Sequence, residues 1–223
     1  MNRRWILALA VFCIASFPAI TPAHAQAAAE ETHTSNMGFS YALPSDWQVM
    51  QTPSTLADVK QQQAAAASSE TDKKGIQCVE IALTARHTAT GSVIVVVQLP
   101  EACFGQPITD KDLPGFANGA LQNIRQSLIL SDPVYGSYAL GSHNLQIERV
   151  TGVAIDHPEA HYTVEVTCGV LKAGAVCWMA MAANNADLAA FEQGKVALDG
   201  DPPVALVPGS AFQQKPAAAP PSH

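Results

Sequence analysis

Three side chains that could coordinate a metal ion lie within five residues of the sequence: His157, Glu159 and His161. Imidazole nitrogens and carboxylate oxygens are both common ligands of transition metals. A fourth candidate, His143, falls on a strand that could lie beside them. Pro158 and the flanking strand patterns predict a loop here, so the histidines lack the preset geometry of a helical H-x-x-x-H pair. A surface turn is the favoured interpretation, and a metal-binding protein or metal-dependent enzyme is the alternative.

Cysteines are the second group of residues that could do chemistry. After an N-terminal leader is set aside, four are left: Cys78, Cys103, Cys168 and Cys177. An even number in an oxidising compartment indicates disulfides, and of three possible pairings the local one, Cys78 with Cys103 and Cys168 with Cys177, fits the strand pattern. The spacings lack the close C-x-x-C pairs of zinc sites and of redox-active dithiols. No G-x-S-x-G motif indicates a nucleophilic serine. We therefore predict no catalytic residue, no bound metal and no cofactor.

The N-terminus, residues 1–25, has the layout of a signal peptide. Two arginines at 3–4 precede an apolar run at 5–20, which is shorter than the roughly 20 residues of a membrane-spanning helix. A small-residue box follows at 23–25. We expect cleavage near Ala25 and a periplasmic or secreted protein that has no stable membrane insertion.

The charge of the chain limits its partners. The formal net charge is −7, and loss of Arg3 and Arg4 with the leader leaves ten basic against nineteen acidic groups, a net charge of −9. An acidic chain without a cluster of Lys and Arg repels nucleic acid and anionic lipid surfaces. We therefore predict neither as a partner and expect a protein or a small ligand instead.

Composition and periodicity predict one domain with two irregular flanks. Residues 26–36 read as a flexible leader, 37–200 as a single α+β domain, and 201–223 as a disordered Pro/Ala-rich tail. Within the domain, the pattern predicts strands, helices and turns in alternation. In chain order these are strands at 38–43 and 47–49, a surface helix at 54–67, a hairpin of 78–86 with 92–99, an amphipathic helix from Leu113 to Leu128, strands at 134–140, 144–154, 161–171 and 176–182, and a helix at 186–198.

Two stretches of this sequence resemble the PsbP-like superfamily. The opening GFSYALPSDWQV is similar to the family's Phe-x-Tyr-x-x-Pro-x-x-Trp start, and KAGAVCWMAMAANNADLAAFEQGKVAL is similar to its final hairpin and helix. The superfamily includes the extrinsic photosystem II protein, the Ran-binding import factor and exported bacterial proteins of the DcrB type. The resemblance covers about residues 36–199 in element order. It implies an antiparallel sheet flanked by helices, an α-β-α sandwich, in an exported bacterial member.

The resemblance also implies a role, because proteins of this fold mostly bind other proteins or act as accessory factors. The hypothesis is an exported, non-catalytic accessory or binding protein of the cell envelope. It would contact a protein or small ligand through a sheet face or a groove beside the long helix. Four aromatic residues at strand positions are predicted to pack in the core, and any exposed in a groove would be candidates for a partner contact. They are Tyr41, Trp47, Tyr162 and Trp178.

Overall fold

The computed structural model describes residues 31–50, 61, 77–207 and 211–212. The predicted signal peptide, nearly all of the predicted helix 54–67 and the end of the predicted tail lie outside these residues. No helix within the described part of the chain is long and apolar enough to cross a membrane.

The described residues form mainly strands. Two α-helices are present in this part of the chain, α1 (Leu113–Ile124) and α2 (Asn185–Gln193). Short 3-10 turns occupy Glu101–Cys103 and Asp110–Asp112. The strands are β1 Glu31–Thr34, β2 Phe39–Leu43, β3 Trp47–Val49, β4 Glu80–His87, β5 Val93–Pro100, β6 Leu128–Leu130, β7 Val134–Leu140, β8 His143–Ala154, β9 His161–Leu171, β10 Gly174–Ala182, β11 Lys195–Leu198 and β12 Val204–Ala205.

Eight strands form the large sheet, in the order β3-β4-β5-β10-β9-β8-β6, and β7 also pairs with β8. All of these pairs are antiparallel, and β4–β5 and β9–β10 are the predicted hairpins. The strand β5 lies between β4 and β10, as expected from its continuous apolar run. A second, four-stranded sheet has the order β1-β2-β11-β12. The turn after β2 therefore passes the chain from one sheet to the other and does not form a hairpin with β3.

The helix α1 covers one face of the large sheet. Its buried residues Leu113, Ala117 and Leu121 follow helical spacing and pack with Val166 and Cys168 of β9. Burial of this apolar stripe, rather than intrinsic propensity, stabilises the helix.

The opposite face is covered by the small sheet together with α2. Phe39 of β2 meets the fully buried Trp178 of β10 edge to face, with ring centroids 5.6 Å apart. Phe191 of α2 and Val196 of β11 belong to the same core. The fold is thus α+β and dominated by sheets. The predicted α-β-α sandwich is not the observed layering, because strands form most of one outer layer.

The two predicted helices that fall within the described residues end earlier than expected. The helix α1 ends at Ile124, and Leu128, predicted as its last apolar position, begins β6. The helix α2 ends at Gln193, where the amide of Gly194 bonds to the carbonyl of Phe191, and the following residues form β11. Residues 195–198 pair with β2 as a strand and do not continue the helix, because Val196 and Leu198 alternate into the core.

The packed domain also extends beyond the predicted limits of 37–200. Glu31–Thr34, predicted as flexible leader, pairs with β2 as strand β1. Leu206, Val207 and Ala211, predicted in the disordered tail, are buried in the core beside the small sheet. The Pro/Ala-rich composition did not indicate the burial of these three apolar side chains.

Both disulfides have the local pairing. Cys168 and Cys177 lie directly opposite each other in the β9–β10 register, with Cα atoms 4.1 Å apart. Cys78 and Cys103 have Cα atoms 5.7 Å apart and join the residues before β4 to the turn after β5. Two disulfides agree with the predicted export to an oxidising compartment.

Replacing Gly194 with alanine is expected to lower the free energy of unfolding by about 2 kcal/mol. A β-carbon at this position would lie 2.6 Å from the hydroxyl oxygen of Tyr41, whose ring is fully buried and has no room to move. Urea unfolding would measure the change. The control is Gly115→Ala in α1, where a β-carbon meets nothing within 4 Å and helix propensity predicts equal or higher stability. Equal stabilities of the two variants would contradict the clash.

Candidate functional site

An open groove of about 490 Å³ lies at one end of the large sheet. Its walls come from β6, the end of β8, the start of β9, and the loop from β10 into α2. Thr151 and Thr163, which pair across β8 and β9, lie on its floor two residues beyond the pair Arg149–Glu165. The groove therefore lies on the face of the sheet that α2 covers. A groove beside the long helix was predicted, but α1 covers the opposite face. The lining residues are Ile129, Leu130, Ser131, Thr151, Gly152, Val153, His161, Tyr162, Thr163, Ala182, Ala183, Asn184 and Asn185.

The groove lining has no carboxylate, lysine, arginine or cysteine. Hydroxyl and amide groups alternate with apolar side chains, and His161 is the one titratable imidazole. Asn184 accepts a hydrogen bond from the backbone amide of Asp187 as the N-cap of α2. Such a lining can hold apolar side chains and bond to a peptide backbone, but it holds no nucleophile paired with a base.

Exposed apolar side chains lie next to this groove, along one edge of the large sheet. Of the seven large apolar side chains that are exposed in the described part of the chain, four lie at the β6–β7 edge of the sheet. Ile129 is 67% exposed and Val134 is 56% exposed, and their register places both on the groove side. Tyr135 lies on the other face at the same edge, and Ile155 follows the end of β8. We call Ile129, Val134, Tyr135 and Ile155 the edge surface. An apolar cluster of this kind is typical of an interaction site.

A buried acidic cluster lies next to the groove on the same face. The side chain of Glu165 in β9 is fully buried, and its Oε2 accepts hydrogen bonds from Nε and Nη2 of Arg149, at 2.8 and 2.5 Å. The same Nη2 donates to Oε1 of Glu192 in α2. The guanidinium lies over the ring of Phe212, 4.1 Å from its centroid. Burial raises the pKa of Glu165 to about 7, and the charge of Arg149 offsets only part of that rise.

Two further buried polar atoms on this face have no hydrogen-bond partner, the indole N–H of Trp178 and Oε1 of Glu165. The hydroxyls of Tyr138 and Thr167 have only each other as a partner. Thr167 and Trp178 are direct neighbours across β9 and β10. Burial raises the pKa of the Tyr138 phenol, the nearby Glu165 carboxyl adds to the rise, and the contact with Thr167 offsets part of it. Unpaired buried polar groups are rare in folded proteins, so this cluster requires a chemical explanation.

Glu148 is a second buried carboxyl, on the opposite face under α1. It pairs in register with Val166 of β9 and with Tyr135 of β7. Its side chain is almost fully buried, and burial raises its pKa to about 7. Unlike Glu165, it forms no ion pair with an arginine among the described residues.

A third cluster contains a serine, a histidine and an aspartate but is not a catalytic triad. The Oδ2 of Asp187 in α2 accepts hydrogen bonds from the hydroxyls of Ser92 and Thr90. The Nδ1 of His87 lies 3.0 Å from the other oxygen of Asp187. In a triad the serine hydroxyl bonds to the imidazole, whereas Ser92 bonds to the carboxylate. The ring of Trp47 stacks on His87. This cluster joins the β4–β5 hairpin to α2.

The four histidine and glutamate candidates are not brought together. His143 begins β8 and His161 pairs with Val153 near the other end of that strand, about 33 Å away at 3.3 Å per residue. His157 and Glu159 are exposed and lie 3.3 Å apart, as expected for a surface turn. Among the described residues, no group of three or more His, Cys, Asp or Glu could hold a metal ion.

His143 instead lies beside two aspartates. Its Nδ1 donates a hydrogen bond to the carbonyl of Val170, at 2.8 Å, which leaves Nε2 facing Asp199 at 3.6 Å and Asp201 at 3.9 Å. The same oxygen of Asp201 accepts from the amide of Ser142, and Asp199 accepts from the amide of Lys172. These bonds attach the β7–β8 turn and the β9–β10 turn to the residues that follow β11, so the contact is structural.

Among the four aromatic candidates, Tyr41, Trp47 and Trp178 are buried in the core. Tyr162 is half-buried and lines the groove. The sequence reasoning missed Glu165 and the edge surface. Glu165 could have been detected from the sequence, since it stands inside the apolar run Tyr162–Leu171. Charged residues are rarely buried without a partner, so its position there indicates a buried polar cluster.

Comparison with known protein families finds no family that matches, and no curated protein matches the sequence. Among solved structures, the chain is similar to the cyanobacterial PsbP of Synechocystis sp. PCC 6803. The two share 9% identity over 75% of this chain and 87% of that chain, with a TM-score of 0.40. The finding is a distant similarity of fold, and neither membership of the superfamily nor a function follows from it.

Proposed function

We propose that the protein is an exported, non-catalytic accessory protein of the cell envelope that binds a partner protein through the edge surface and the groove. The observation that carries the proposal is the clustering of exposed apolar side chains at one edge of the large sheet. Single exposed apolar residues are ordinary on a protein surface, whereas a cluster next to a groove is typical of a binding site.

The shape of this surface favours an extended segment of the partner. The strands β6 and β7 both pair with β8 on one side, and in the described residues neither has a strand on the other side. A strand added there would place alternate side chains on the two faces of the sheet. Ile129 and Val134 would contact it on the groove side, and Tyr135 on the other. The uncharged groove lining suits an apolar side chain of the partner.

Site-specific photo-crosslinking in the cells that make the protein tests this proposal. A photoreactive residue at position 129 or 135 is expected to give the same adduct, whose partner is identified by mass spectrometry. The matched control is position 50, because Met50 is similarly exposed and apolar but follows β3 at the opposite edge of the same sheet. An identical adduct at position 50, or none at 129 and 135, would contradict the proposal.

Ile129→Asp is expected to weaken binding of the crosslinked partner, once purified, at least about tenfold. The substitution places a charge against an apolar contact, while the exposed position of Ile129 predicts little change in the stability of the free protein. Isothermal titration measures the affinity, and thermal unfolding checks the fold. Unchanged affinity would mean that the partner binds elsewhere.

A further inference from the structure

The carboxyl group of Glu165 has one satisfied and one unsatisfied oxygen. Oε2 accepts both hydrogen bonds from Arg149, while Oε1 is buried without a partner. Arg149 also bonds to Glu192, so one guanidinium faces two carboxyl groups. If both were ionised, a net negative charge would be held where the Glu165 side chain has no contact with water. Such a charge is costly unless it is neutralised.

A proton on Oε1 of Glu165 resolves this conflict. It removes the excess charge. The hydroxyls of Tyr138 and Thr167 are not hydrogen-bonded to Oε1, so the proton acts by neutralising the charge and not by forming a new hydrogen bond. Glu165 is the carboxyl that carries it, because its side chain is fully buried whereas that of Glu192 is 24% exposed.

The C-terminal strap, defined as Leu206–Val207 and Ala211–Phe212, closes over this cluster. The ring of Phe212 covers the guanidinium of Arg149. The carbonyl of Ala211 lies so close to Gly136 of β7 that a β-carbon there would be 2.7 Å from it.

At its other end the strap is bonded to α2 and the residue after it. The amide of Val207 donates to the carbonyl of Glu192, at 3.1 Å, and that of Leu206 to Gly194, at 2.9 Å. The strap thus contacts Arg149, through Phe212, and Glu192, the second carboxyl bonded to the same guanidinium.

The charged and titratable groups that face Glu165 come from three elements. Arg149 of β8 and Glu192 of α2 are charged, and Tyr138 of β7 is titratable. The strand β10 contributes Trp178 and Ala180, and the described strap residues have no titratable side chain. Burial, as the largest cause, raises the pKa of Glu165 to about 7, in agreement with the geometry.

We propose that Glu165 carries a proton while the strap is closed, and that loss of this proton to solvent releases the strap from β7, from β8 and from the end of α2. The sign follows from linkage: the closed form has the higher affinity for the proton, so it is favoured at low pH and weakened as the pH rises through about 7. In the open form Glu165 is hydrated and ionised. The proposal does not depend on the proposed function.

Hydrogen exchange of the purified protein tests the release. After correction for the intrinsic effect of pH on exchange, the protection of the Leu206 and Val207 amides is expected to fall about tenfold between pH 6 and pH 8.5. In Glu165→Gln the side chain cannot ionise, so protection is expected to be independent of pH. Glu148→Gln is the matched control, because Glu148 has a similarly raised pKa but lies on the other face; its strap is expected to behave as in the unmodified protein.

Protection that stays constant with pH in the unmodified protein, or that falls equally in Glu165→Gln, would overturn the proposal. A second measurement does not require the Glu165 variant to fold. Phe212→Ala removes the cover over Arg149, and linkage then requires the Glu165 carboxyl, followed by carbon-13 NMR, to titrate at lower pH. An unchanged titration midpoint in Phe212→Ala would also overturn it.

Discussion

Replacing Asp187 with alanine is expected to lower the free energy of unfolding by about 3 kcal/mol at pH 7. The carboxylate is buried and accepts hydrogen bonds from the hydroxyls of Ser92 and Thr90 and from the side chain of Asn184, at 3.2 Å for the last. The Nδ1 of His87 lies 3.0 Å from the other carboxylate oxygen. Alanine leaves the fully buried hydroxyl of Ser92 without this acceptor and removes the contact that joins the β4–β5 hairpin to α2. Urea unfolding measures the loss.

The control for this prediction is Asp46→Ala, which removes an exposed carboxylate from the turn between β2 and β3 and is expected to change stability by less than about 0.5 kcal/mol. The pH dependence adds a second check. Burial acts to raise the pKa of Asp187, but hydrogen bonds from Ser92 and Thr90 and the charge of His87 outweigh it and lower the pKa below the usual value. The stabilisation is therefore present above about pH 4 and is lost as the pH falls through the lowered pKa. A deficit in Asp187→Ala that grew on acidification would contradict the assignment.

The protein as a whole is expected to lose about 2 kcal/mol of stability between pH 6 and pH 8.5. Glu148 and Glu165 each have a pKa raised to about 7 by burial, so the folded protein binds a proton at each that the unfolded chain has released. For a raised carboxyl pKa, the stabilisation is present at low pH and is lost as the pH rises through the folded value. Urea unfolding across this range measures the slope.

The double variant Glu148→Gln/Glu165→Gln is expected to abolish most of this slope, because glutamine does not ionise. Each single variant should abolish about half of it, since the two side chains lie on opposite faces of the sheet and act independently. A double variant whose stability still fell by about 2 kcal/mol over the range would assign the titration to other groups.

Elements with strong local patterns were predictable from the sequence. The strands at 134–140 and 161–171 were predicted with the bounds that the structure shows, because period-two alternation is a local property. The Cys168–Cys177 pairing followed from the hairpin that contains it. The ends of α1 and α2 were not predictable in the same way. Lys195–Leu198 continues an apolar pattern compatible with a helix, and the open edge of β2 decides that it is a strand.

The candidate site depended still more on distant contacts. A glutamate within an apolar strand was visible at position 165, but nothing nearby in sequence indicates that Arg149 and Glu192 meet it. The edge surface likewise depends on the order of the strands, since Ile129 is exposed only because β6 is the last strand.

The candidate metal ligands and the cysteines separate what a local sequence pattern determines from what only tertiary contacts decide. The sequence alone predicted a turn at 157–161, of which only His161 belongs to a strand, and it favoured the local cysteine pairing among three possible ones. Both predictions rest on turn residues and hairpin spacing, which act over a few positions. Only the tertiary structure decided that His143 and His161 lie at opposite ends of the paired strands β8 and β9. It also decided that Glu165 is buried and shares the guanidinium of Arg149 with Glu192. Register and packing between distant segments set these distances, and no local pattern encodes them.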